Sequence, residues 1–124
     1  MNGKQLNVLG TDIQICGTDP KTGYFRDGCC NTGLKDIGFH TVCAIVTEEF
    51  LDFSRAQGND LITPRPEFNF PGLKPGDSWC ICASRFEEAR LADCAPKIKL
   101  TATNEKTLKI VSLDVLKKYQ IDLN

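Results

Sequence analysis

Sulfur is the most reactive chemistry this chain offers. Cys29 and Cys30 sit together in a Gly- and Asn-rich turn. Cys80 and Cys82 alternate along an apolar stretch, so in an extended strand both thiols face the same way, roughly 6.5–7 Å apart. A thiol becomes a nucleophile when a base stands beside it. The chain has one histidine, His40, so a Cys–His mechanism would use Cys30 or Cys82 with His40. The simpler role for a lone histidine at the start of a strand is a structural hydrogen bond. With one imidazole, any mechanism that needs two histidine ligands or relays is ruled out.

The same residues are the candidate metal ligands: Cys29, Cys30, His40, Cys80 and Cys82. Zinc sites commonly rest on a Cys-x2–4-Cys knuckle that presents two thiolates from one turn. The chain has no such knuckle, which favours buried apolar packing for these thiols. These residues identify no particular cofactor. Gly28 to Gly33 has the glycine spacing of a phosphate loop, but Leu34-Lys35 follows where Lys-Ser/Thr is required.

Arg26, Arg65 and Arg85 fall in turns, a loop or a first helical turn. Arg85, at a helix start and so against the dipole, is suited to an ion pair with Asp27, Asp60 or Asp77, with an anion contact as the alternative; structural ion pairs are the simpler role for all three. Asp60, just after Gly58-Asn59, is suited to tying down its loop by accepting backbone hydrogen bonds.

The elements that must position these groups follow from the hydrophobic pattern. His40 to Thr47 alternates as a strand, with His40, Val42, Ala44 and Val46 on one face and Cys43 and Ile45 on the other. Thr47 caps a helix beginning at Glu48 and ending at Gly58. Four prolines between Pro64 and Pro75 predict an ordered, non-helical loop. Trp79 to Ala83 is a second strand. Ser84 and Glu87 form a capping box for a helix that runs to about Asp93. Lys97 to Thr103 alternates as a third strand. Lys109 to Val111 is either a return strand or part of a short helix, and Ser112 caps a last helix. The result is an α+β fold: a small mixed, largely antiparallel sheet, about three short helices and long ordered loops, in one domain over 1–124.

Composition narrows the function. A net charge of −1 with 25% charged residues gives no electrostatic case for nucleic acid or an anionic membrane surface. The longest apolar runs, Val42 to Val46 and Trp79 to Ala83, are far shorter than the roughly 20 residues of a spanning helix. Met1 to Gln5 leads into no apolar segment, so no secretory signal is expected. The 7 cysteines are an odd number and too sparse for a disulfide scaffold, which predicts reduced thiols in the cytoplasm. Cys16, Cys43 and Cys94 read as packing residues.

Five motifs together resemble a bacterial family, domain of unknown function 2237. They are Arg26-Asp27-Gly28-Cys29-Cys30-Asn31-Thr32-Gly33, His40-Thr41-Val42-Cys43-Ala44, Gly58-Asn59-Asp60-Leu61, Phe70-Pro71-Gly72-Leu73 and Pro75-Gly76-Asp77-Ser78-Trp79-Cys80-Ile81-Cys82-Ala83. The resemblance spans about residues 7 to 119. It implies a single small α+β domain and no particular reaction. Phe86 stands where the family pattern usually has Trp, and Asn104 where it often has His.

The leading functional expectation is a module that binds a small molecule or protein partner. Its pocket would be walled by the proline-rich loop, the 26–33 turn and the Cys80/Cys82 strand, with Arg26, Asp27, Asp60, Arg65, Asp77, Trp79 and Arg85 as ligand contacts. That reading requires Arg65 and Cys82 on the same side of the core. A cysteine-dependent enzyme and a structural metal protein are the alternatives.

Overall fold

The computed structural model describes residues 5–123. Three strands, β1 (His40–Ile45), β2 (Ser78–Cys82) and β3 (Lys97–Ile98), form an antiparallel sheet in the order β2-β1-β3. Three helices accompany them: α1 (Glu48–Ala56), α2 (Ala83–Leu91) and α3 (Leu113–Lys117). The fold is a small α+β arrangement, as the alternating pattern predicts. No helix among the described residues is long and apolar enough to cross a membrane.

The two faces of the sheet are covered differently. Val42 lies opposite Ile81 and Ala44 opposite Trp79, so these four share one face. That face packs into the main core with Phe50 and Leu51 of α1 and Phe86 and Ala89 of α2. Phe86 is fully buried, and cutting such a ring back to Ala costs about 3–5 kcal/mol. Cys43 lies opposite Cys80 on the other face. There a second cluster of Ile13, Cys16, Cys30, Cys43, Cys80 and Ala102 is buried under the N-terminal segment.

Two disulfides fasten that segment down. Cys16 is bonded to Cys43 and Cys30 to Cys80. The expectation of reduced thiols is therefore corrected for four of the cysteines, and Cys16 and Cys43 are bridge partners rather than simple packing residues. Sequence parity and density gave no hint of this, because 27 and 50 residues separate the partners and only the folded sheet brings them together. Buried side chains complete the attachment. Asn7 Nδ2 donates to Thr101 O, and Asn104 Nδ2 donates to Cys30 O and Gln5 Oε1. The Cys80 amide on the sheet-edge strand β2 donates to Thr22 Oγ1 at 2.7 Å, which closes part of that edge.

Several local expectations are revised. Thr47 caps α1, accepting from the Phe50 amide, as predicted. The cap of α2 is Cys82, not Ser84, because the helix leaves β2 with no intervening loop. The third strand stops at Ile98. The Asp122 carboxylate accepts the Leu100 and Thr101 amides, and the chain turns into a 3-10 helix over Leu100–Ala102. Lys109 ends another 3-10 helix, Glu105–Lys109, and no return strand forms at Lys109 to Val111.

Candidate functional site

The strand alternation expected for His40 fails at one residue, and the failure builds the site. Regular pairing would set Thr41 opposite Cys82. Instead the register slips between His40 and Val42, so that His40 itself faces Cys82. A bulge of this kind inserts one extra residue and re-aims the side chains beyond it. It turns His40 away from the Val42 face and onto the face of Cys80 and Cys82. Phe39, just before the bulge, has φ 50°, a left-handed conformation that a bulky residue adopts only when its surroundings impose it. Its carbonyl accepts the Thr41 amide at 2.7 Å and the Ala83 amide at 2.9 Å, which ties the bulge to the start of α2.

Cys82 Sγ lies 3.3 Å from His40 Nε2. On the other side of the ring, His40 Nδ1 lies 2.6 Å from Asp36 Oδ1. Asp36 is buried; its Oδ2 accepts the His40 amide and the Thr32 hydroxyl, each at 2.9 Å. Gly38 makes the close approach possible, because a Cβ there would sit 3.1 Å from Cys82 Sγ and 3.5 Å from His40 Cε1. Tyr24 stacks on the imidazole with centroids 6.0 Å apart.

The hydrogen bond to Cys82 raises His40 from 6.5 to about 9; burial opposes the shift and Asp36 adds to it. The ring is therefore an imidazolium at neutral pH, with Asp36 accepting the Nδ1 proton. Cys82 also stands at the N-terminus of α2, where the first amides favour negative charge.

His40 opens onto a cleft of about 310 Å³. Tyr24 and Arg26 form one wall, Asp60, Arg65 and Phe68 another, and Trp79 and Phe70 the floor. The Arg26 guanidinium lies 5.2 Å from the centre of the Trp79 ring, and Phe70 packs on that indole at 5.0 Å. The proline loop holds its shape through reciprocal backbone bonds between Arg65 and Phe70. Asp60 accepts the Ile62 and Thr63 amides and the Thr63 hydroxyl, and those bonds lower its carboxyl to about 2.

The other candidates lie elsewhere or are otherwise engaged. Cys30 is bonded to Cys80, so neither offers a thiolate for catalysis or for a metal. Cys29 belongs to neither bridge and is half-buried. Cys16, Cys30 and Cys80 sulfurs lie within 4.8 Å of one another, but all three are spent in disulfides. The metal-ligand set expected from sequence is thus divided between a bridge and the Cys82–His40 pair. Asp27 accepts the Cys29 amide and the Asn31 side chain. Asp77 accepts the Lys74 amide. Arg85 donates to Glu88 and to Gln57 O. The expected ion pair of Arg85 with Asp27, Asp60 or Asp77 does not form among the described residues, because each carboxylate captures local amides instead. Sequence reasoning passed over Asp36, Tyr24 and Gly38. The only available signal was an aspartate four residues before the single histidine, across a glycine.

The fold and site define a small disulfide-stapled α+β protein with a cysteine–histidine–aspartate array at a sheet edge. The chain belongs to the family described as an uncharacterized protein conserved in bacteria (DUF2237), whose pattern matches residues 6–120. No curated protein matches the chain.

Proposed function

We propose that this protein is a cysteine-dependent enzyme, with Cys82 as nucleophile, His40 as its proton partner and Asp36 as the carboxylate that orients the ring. The observation that carries this reading is the continuous contact from Cys82 Sγ through His40 to Asp36, at 3.3 and 2.6 Å. In the reaction the Cys82 proton rests on His40, and the sulfur attacks an electrophilic carbon held beside the imidazole. A C–S bond forms, the bond to the leaving group breaks, and His40 returns the proton to the departing atom. Asp36 does not touch substrate and acts as a positioning residue.

The experiment is site-resolved alkylation by iodoacetamide at neutral pH, read by peptide mass mapping. Cys82 is expected to react about tenfold or more faster than Cys94, whose thiol burial and the nearby Glu49 and Asp93 push up. His40→Ala should remove that advantage. A Cys82 rate equal to that of Cys94 overturns the reading.

A second reading is non-covalent ligand binding in the same cleft. It is supported by the arginine laid on Trp79 and by the aromatic walls. A Cys82→Ser chain that retains full biological activity would favour it over catalysis.

A further inference from the structure

Arg26 and Arg65 both line the cleft, and neither takes part in a salt bridge among the described residues. His40 lies at the same opening, with its own charge paired to Asp36. The single acid of the lining, Asp60, directs its oxygens at Ile62 and Thr63. Those bonds fix the ionised carboxylate on its own loop, so the lining sets two guanidinium groups against one carboxylate. The remaining walls are aromatic: Tyr24, Phe68, Phe70 and Trp79. Arg26 also adopts φ 54°, a left-handed conformation uncommon for a residue with a long side chain. Its amide closes a turn on Gly23 O, and its guanidinium lies over Trp79.

We propose that the cleft recognises an oxyanion carried on an apolar or aromatic body, with Arg26 and Arg65 as the anion contacts and Trp79 and Phe70 as the apolar floor. Guanidinium groups suit this role because their planar fork of donors matches carboxylate and phosphate oxygens. The inference rests on the enzyme reading and names its substrate class, because the cleft is lined by His40, the contact partner of Cys82.

Two measurements separate the fate of this inference from the fate of the nucleophile. The first compares alkylation of Cys82 by anionic iodoacetate and neutral iodoacetamide. Both reactions form the same C–S bond and release iodide, so their ratio isolates the effect of charge. The native ratio should exceed the ratio in urea by about fivefold or more, and 0.5 M NaCl should collapse it. Arg26→Gln with Arg65→Gln should do the same in a chain whose circular dichroism is unchanged. A slow Cys82 with a raised ratio would defeat the nucleophile and leave the anion site standing. A native ratio within twofold of the urea value overturns the anion site.

The second measurement needs no thiol. In Cys82→Ser, the ring resonances of the single histidine are followed as benzoate or phenyl phosphate is added. Saturable shifts with either ligand, lost in the arginine double variant, support the proposal, and the stronger ligand identifies the oxyanion. No saturable shift with either overturns it.

Discussion

His40 faces Cys82 across the β1–β2 pair only because one residue, Thr41, is extra in β1. Thr41 is itself buried and its hydroxyl bonds that of Thr107 at 2.7 Å. The bulge is thus clamped from behind, while His40 and Cys82 meet in front. Side chains directly opposite in an antiparallel pair are within a few ångströms of one another, and the 3.3 Å contact follows from that register.

The histidine should report on this contact directly. Its ring is expected to titrate near pH 9 in the native protein, well above 6.5. Cys82→Ala removes the largest cause of the shift, so the midpoint should fall toward the ordinary value. Proton NMR of the one histidine measures both. A native midpoint at 6.5 would show that the sulfur and the ring do not interact.

Stability should follow the same proton. A raised pKa means the folded state binds the proton more tightly than the unfolded chain. The stabilisation from His40 is therefore complete below pH 6.5 and is lost as pH climbs through about 9. Urea midpoints of the native chain and of His40→Asn should diverge most at low pH and converge above that window.

Asp36→Asn should weaken both fold and site. The carboxylate is buried and accepts from the Thr32 hydroxyl, the His40 amide and the His40 ring. Loss of its charge is expected to lower stability by about 1–3 kcal/mol. It should also lower the His40 titration midpoint, which a purely structural role would leave in place.

Gly38→Ala probes the close approach. The added Cβ would press on Cys82 Sγ at 3.1 Å, so the sulfur must give by a few tenths of an ångström and its contact with the ring is disturbed. Cys82 alkylation should slow severalfold with little change in unfolding midpoint. An unchanged rate would mean the pair tolerates the wedge and that its spacing is not what activates the thiol.

Thiol titration tests the bridges. The unfolded, unreduced chain should show three thiols, and seven after reduction. Removing Cys16 and Cys43 together, as serines, should cost about 2–4 kcal/mol by freeing the unfolded chain.

The parts of this fold legible in the sequence are those set by local chemistry. Thr47 before Glu48-Glu49 marks the start of α1, and Ser112 caps α3 as read. The alternation of Trp79 to Cys82 correctly separates Ile81 from the two cysteines. What escaped were features decided by distant partners. Asp122 ends β3 from across 22 residues of chain. Cys43 reads as core because its neighbours are apolar, yet its sulfur meets Cys16 on the opposite face from Val42. The bulge at Thr41 leaves no mark in a pattern of alternating residues, so His40 was assigned to the wrong face. The candidate site suffered the same way: the cysteine and histidine were identifiable by type, but Cys30 could not be separated from Cys82 until the bridges were placed.

The two disulfides interleave along the chain, since Cys30 lies inside the 16–43 loop and Cys80 outside it. Any backbone cut between residues 30 and 43 therefore leaves two fragments joined by both bridges. That interval contains Asp36, the bulge, and the exposed Leu34 and Ile37. A protease could open the loop behind His40 and release nothing: the mass would rise by one water, and the fragments would part only under a reductant. Cys82 and the cleft residues Asp60, Arg65, Phe68, Phe70 and Trp79 belong to the far fragment, Gly23, Tyr24 and Arg26 to the near one, and Asp36 and His40 to either, depending on the cut. The staples thus keep the two halves of one site in register even when the peptide chain between them is broken.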